Sequence, residues 1–184
     1  MSLDLYIGPM FSGKSTALLN IIKRNKFIGT STFCVTSSFD TRWNDKEVSI
    51  TSHTGEKCAA SSTTLLRDIK SNPNYSSAKC IIIEEAQFFT DLKDFVLHAV
   101  EVDGKHVICA GLDGDSSRKP FGQILDLIPY SNFVTKLHAN CTRCKENALF
   151  TFRKSDKNTN QVMVAGADEY EALCRKHYLE LSCV

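Results

Sequence analysis

The sequence predicts an α/β domain with a mainly parallel sheet and helices on both faces, followed by a small metal-binding segment. Three observations carry this. Short apolar runs alternate with helix-length stretches through the first two thirds of the chain. One run, Cys80-Ile81-Ile82-Ile83, is apolar throughout, as strands covered on both faces are. From Ala139 onward the cysteines fall in paired, ligand-like spacing.

Residues 3–7 read as the first strand. From 14 to 27, Leu18, Leu19, Ile21 and Ile22 recur at helical spacing. Residues 33–36 read as a second strand and 62–70 as a helix, with Thr63 or Thr64 near its cap. Residues 80–83 form the buried strand, and 91–100 a helix that Asp91 would cap. Residues 106–112 and 132–137 supply two more strands. Past His138 two further β-like runs, 149–153 and 162–165, flank a polar turn at 155–160. The expected boundary divides residues 1–138 from 139–184.

Composition narrows the function. A hydrophobic share of 42% supports a packed core, and a formal charge of +1 argues against a nucleic-acid partner or an acidic membrane surface. No apolar run is long enough to span a bilayer, and no basic leader precedes the first strand. The eight cysteines then read as free thiols or metal ligands in a reducing compartment, with a cytoplasmic location expected. Cys34, Cys80 and Cys109 sit in apolar runs and are expected in the core.

Gly8-Pro9-Met10-Phe11-Ser12-Gly13-Lys14-Ser15 fits G-x-x-x-x-G-K-[ST] in full, between a predicted strand and a predicted helix. Glycine at 8 and 13 permits torsions and close approaches that a side chain blocks. The loop amides and the helix N-terminus converge on phosphate oxygens; Lys14 neutralises terminal phosphate charge, and the Ser15 hydroxyl suits Mg²⁺. Glu84 and Glu85 follow the buried strand, which places them at the sheet's carboxyl edge beside the loop. On an extended chain two adjacent acids point to opposite sides, so one serves the Mg²⁺ shell and the other the acceptor.

Cys141-Thr142-Arg143-Cys144 and Cys174-Arg175-Lys176-His177 are two C-x-x-[CH] pairs about thirty residues apart. They fit a tetrahedral Zn²⁺ held by four protein ligands, which is a structural rather than a catalytic arrangement. Cys183 is not needed for it, and His53 and His138 have no motif around them.

Three stretches resemble a known family, the type II thymidine kinases of cytosolic, bacterial and viral origin. They are the glycine loop through Thr16; the Glu85-Ala86-Gln87-Phe88-Phe89 segment, with Gly111 to Asp115 and Arg118 to Gly122; and Gly166 to His177. The resemblance covers essentially the whole chain. It implies that ATP and Mg²⁺ are used to phosphorylate the 5′-hydroxyl of thymidine, with a structural zinc alongside. By the same resemblance, Glu85 matches the general base. Glu84 matches the Walker-B acid, which is commonly Asp. Arg42, in Asp40-Thr41-Arg42, would steady the transferring group beside Lys14. Asp40 and Gln87 would belong with the nucleotide side.

Met10, Phe88, Leu112, Phe121 and Thr151 match the family's thymine pocket, although on the residues alone Phe88, Phe89, Leu112 and Phe121 read first as core. Gln161, Val162, Met163, Val164 and Ala165, with Tyr170, match a lasso loop whose backbone reads the base. Ser116 occupies a position where the family commonly carries an aromatic, so the pocket is expected to be more open here. A homotetramer and feedback by thymidine triphosphate are also implied. Two other readings compete: a P-loop ATPase with a structural zinc domain, for which no water-positioning residue stands out, and a zinc-ribbon nucleic-acid binder, which the near-neutral charge disfavours.

Overall fold

The computed structural model describes residues 1–39, 48–52, 55–154 and 169–182. In chain order the strands and helices are β1 (Ser2–Ile7), α1 (Lys14–Phe27), β2 (Thr32–Ser37), β3 (Ser49–Thr51), β4 (Lys57–Ala59), β5 (Ser61–Thr63), α2 (Pro73–Ser77), β6 (Cys80–Ile83), α3 (Leu92–Glu101), β7 (His106–Gly111), β8 (Phe133–Lys136), β9 (Ala139–Asn140), β10 (Asn147–Ala148), β11 (Phe150–Arg153), β12 (Tyr170–Leu173) and α4 (Arg175–Ser182). Three 3₁₀ segments, Leu66–Ser71, Ala86–Phe88 and Ile124–Tyr130, lie between them.

Six strands form one sheet in the order β5-β2-β6-β7-β1-β8, and every pairing in it is parallel. Alternation along the strands sorts the core into two layers. Ile81, Ile83, Val107 and Cys109 join Leu92, Phe95 and Val96 of α3 on one face. Cys80, Ile82, Ile108 and Ala110 join Leu18 and Leu19 of α1 on the other. Cys34, Cys80 and Cys109 are buried as expected. Burial raises the Cys80 thiol to about 11, so it stays protonated and acts as a small core group.

A third, smaller cluster gathers Ala139, Cys141, Ala148, Ala172, Leu173 and Tyr178. It is framed by two antiparallel pairs, β9 with β10 and β11 with β12. The second β-like run past His138, 162–165, lies outside the described residues, as do Asp40, Thr41, Arg42, His53 and Cys183.

Two expectations are corrected. The helix expected at 62–70 is instead β5 followed by the 3₁₀ segment Leu66–Ser71. Ser61 to Thr63 extend the sheet beside β2, and the Thr63 hydroxyl donates to the Leu65 carbonyl at 2.9 Å, competing with helical bonding. Leu66 and Ile69, three residues apart, are both buried, which suits a threefold turn. Asp91 precedes α3 but makes no side-chain cap on it. Its two carboxylate oxygens accept from the backbone N–H groups of Leu66 (3.0 Å) and Arg67 (2.9 Å), so it caps the other segment.

Candidate active site and metal centre

Because the sheet is parallel, the loops after β1, β2, β6, β7 and β8 all emerge at one carboxyl edge. Gly8 to Gly13 form the β1–α1 connection there. A Cβ on Gly8 would lie 2.5 Å from the Leu137 carbonyl oxygen, so glycine is required for β1 to leave the sheet beside the end of β8. Gly13 starts α1 with a left-handed φ of 82°, and the first turn of that helix holds no acid. Its amides and positive dipole end suit an anion. Within the loop Ser12 donates to the Pro9 carbonyl at 2.8 Å. Lys14 Nζ arches back to the carbonyls of Gly8 (3.2 Å) and Pro9 (2.7 Å).

The loop is also held from outside. The Met10 N–H donates to Thr151 Oγ1 at 3.0 Å, tying it to β11. Phe11 has a left-handed φ of 65°, and its ring packs on the small third cluster.

Glu84 and Glu85 are both buried, at 6% and 8% exposure, despite their charge. The expectation that they alternate as strand residues needs correction. The strand ends at Ile83, and Glu85 adopts a left-handed backbone with φ 51° that opens the 3₁₀ turn Ala86–Phe88. A non-glycine residue held in that region is strained, and such strain gathers at functional positions. Gln87, expected on the nucleotide side, is turned toward the carboxylate. Its side chain donates from Nε2 to Glu85 Oε2 at 2.5 Å and accepts the Leu112 N–H at 3.0 Å.

The expected pocket residues divide. Phe88 and Phe121 meet edge to face with centroids 5.5 Å apart, and Phe39 approaches Phe88 at 6.5 Å. Phe89 is core, 1% exposed. Leu112 leaves β7 half-buried beside Gln87, and Thr151 is buried against the Met10 amide. Tyr170 lies in β12 opposite Arg153, whose guanidinium sits 5.9 Å from its ring centre. Ser116 is half-buried and offers its carbonyl to the Tyr178 hydroxyl at 2.6 Å. Gln161 to Ala165 lie outside the described residues.

Sequence reasoning missed Tyr178. No local pattern marks it, since its partner is 62 residues away.

The ligand atoms of Cys141, Cys144, Cys174 and His177 all lie within 4.8 Å of one another. Cys144 Sγ and Cys174 Sγ are 3.8 Å apart, and His177 Nδ1 is 3.5 Å from Cys141 Sγ and 3.2 Å from Cys174 Sγ. Zinc–sulfur bonds of about 2.3 Å in a tetrahedron set sulfurs about 3.8 Å apart, so the donor set fits zinc. Lys145, with φ 66°, turns the first knuckle: its N–H donates to the Cys141 carbonyl and Cys141 N–H to the Glu146 carbonyl. The second pair closes at the start of α4, where the Tyr178 N–H donates to the Cys174 carbonyl. Burial opposes ionisation of Cys141, but the backbone N–H groups of Cys174, Arg143 and Cys144, with His177, outweigh it and bring the thiol down to about 6. A thiolate is the form a metal takes.

A strand–glycine-loop–helix unit beside buried carboxylates at one edge of a parallel sheet places the chain in the P-loop-like α/β class. Comparison with known proteins narrows the class. The family model for thymidine kinase matches residues 1–178, and the chain belongs to that family. It is 43% identical over 184 residues to "Thymidine kinase a" of Arabidopsis thaliana, covering 97% of this chain and 75% of that protein. The thymidine kinase of Sheeppox virus (strain KS-1) is 38% identical over 176 residues, covering 96% of each. The human cytosolic thymidine kinase is 36% identical over 178 residues, covering 97% of this chain and 73% of that protein. No helix among the described residues is long and apolar enough to cross a membrane.

Proposed function

We propose that this chain, a thymidine kinase by family, transfers the γ-phosphate of ATP to the 5′-hydroxyl of thymidine, giving thymidine monophosphate and ADP. What carries the reading is the position of the Gly8–Gly13 loop and the Glu84–Glu85 pair at one sheet edge, separated only by β7.

The loop amides and α1 N-terminus receive the phosphates, with Lys14 and Ser15 beside them. Lys14 and Arg42 offset the charge on the group in transit. Mg²⁺, held at the Ser15 hydroxyl and the Glu84 carboxylate, would supply charge neutralisation at the β- and γ-phosphates. Glu85 takes the 5′-hydroxyl proton as that oxygen forms its bond to phosphorus, and the bond from phosphorus to the ADP oxygen breaks. A positioned base contributes about 10²–10⁴-fold. Met10, Phe88, Leu112, Phe121, Thr151 and Tyr170, with residues 161–165, hold the base.

A division at 138/139, supported by the separate core of Ala139 to Tyr178, and a structural Zn²⁺ at the Cys141 cluster belong to the same proposal. A homotetramer and inhibition by thymidine triphosphate complete it. The test is a panel of the four deoxynucleosides with ATP and Mg²⁺, with products identified. Turnover that requires thymidine and yields its monophosphate supports the reading. ATP turnover that ignores the nucleoside makes the chain an ATPase instead.

A further inference from the structure

We infer that Gln87 is the positioning residue for the Glu85 carboxylate and not a nucleotide ligand, an inference that rests on the reading of Glu85 as the base. An amide side chain has a donor end and an acceptor end, and here its neighbours fix which faces which. The Glu85 carboxylate only accepts, and the Leu112 N–H only donates. Nε2 therefore meets Glu85 Oε2 (2.5 Å) and Oε1 meets the Leu112 N–H (3.0 Å); the reversed amide would break both bonds. Gln87 is 3% exposed, and a hydrogen bond to a charged acceptor in so buried a place is among the stronger ones.

The surroundings are shaped around both the side chain and the main chain of this one residue. A Cβ on Gly111 would stand 2.5 Å from Gln87 Oε1, and one on Gly122 would stand 2.1 Å from the Gln87 carbonyl oxygen. Gly122 also has a left-handed φ of 63°. Two glycines from the two ends of one connection thus leave the room Gln87 occupies. Glu85, held with φ 51°, gains a fixed carboxylate direction from it. The connection gripped by Gln87 carries Leu112 and Phe121 at its two ends, so the base and one wall of the nucleoside pocket share a single brace. Misplacing a reacting group by about 1 Å costs on the order of 10²-fold in rate.

The experiment is a double-mutant cycle between Gln87→Met and Glu85→Gln, read by steady-state kinetics. Gln87→Met keeps length and removes both polar ends. Its kcat should fall about 10–100-fold, with KM for ATP within about twofold. In the Glu85→Gln background the same change should lower kcat no further, because no base remains to be aimed. A raised KM for ATP with kcat unchanged would make Gln87 a nucleotide ligand, and losses that multiply in the double variant would make it merely structural; either overturns the inference. Near-normal turnover of Glu85→Gln alone removes the base assignment, and this inference with it. Should Gln87→Met not fold, Gln87→Asn keeps the amide but draws it back by one methylene, so it cannot span Glu85 and Leu112, and it carries the same comparison.

Discussion

The hydroxyl of Tyr178, in the same helix as His177 of the Cys₃His cluster, donates to the main-chain carbonyl of Ser116 at 2.6 Å, across 62 residues of sequence. Arg118 reinforces the link, its guanidinium lying 4.7 Å from the Tyr178 ring centre and 5.7 Å from that of Phe150. Within the loop between Gly114 and Pro120, Asp115 Oδ1 accepts from the N–H groups of Ser117 and Lys119. Tyr178 and Phe150, which pack in the cluster around Cys141, thus tie down the loop that bears Ser116.

Tyr178→Phe removes only that hydroxyl. The expected outcome is a several-fold rise in KM for thymidine with KM for ATP unchanged, on the scale of one hydrogen bond of about 1 kcal/mol. Ser116→Phe tests the side chain itself: an added aromatic is worth about 0.5–1.5 kcal/mol beyond area burial, so KM for thymidine should fall, along with acceptance of bulky 5-substituted analogues. Steady-state kinetics on both variants checks this. If Ser116→Phe changes neither quantity, residue 116 does not border the pocket.

Metal analysis should find one zinc per chain. Cys144→Ser should bind less metal and melt at lower temperature, because binding energy at a structural site is folding energy. Stripping zinc should also raise KM for thymidine, since the Tyr178 contact starts one residue beyond His177. Carefully prepared protein that contains no zinc would end this claim.

Asp91 caps the Leu66–Ser71 segment, not its own helix, so Asp91→Ala should destabilise by about 1–2 kcal/mol, with Asp91→Asn between it and the parent. That corresponds to a fall in Tm of roughly 2–8 °C for a chain of this size. Calorimetry of the two variants decides it; equal melting of all three proteins would show that the cap contributes nothing.

Legibility in the sequence follows the range of the interactions. The glycine loop, the β6 run and the metal pairs are readable because each is a local pattern whose chemistry needs adjacent residues. The turn at Glu85, with its left-handed backbone, is not: Gln87, which bonds the Glu85 carboxylate, is itself held by Leu112 and lies against Gly122, both far along the chain. Asn72-Pro73 is a legible helix start absent from the sequence expectations: the Asn72 side chain accepts the Asn74 N–H at 2.9 Å and opens α2. Lys105 is beyond such reach. Its buried ammonium donates to the carbonyls of Tyr75 and Ala78, both at 2.8 Å and both far away in sequence.

In the proposed mechanism Glu85 removes the proton from the attacking hydroxyl. Glu85→Gln keeps the shape of the side chain and removes its basicity, so the measurement is kcat at saturating thymidine, ATP and Mg²⁺, with thermal melting run alongside. The predicted result is a loss of about 10²–10⁴-fold with melting near that of the parent. Turnover within a few-fold of the parent, in a protein that melts normally, would contradict it.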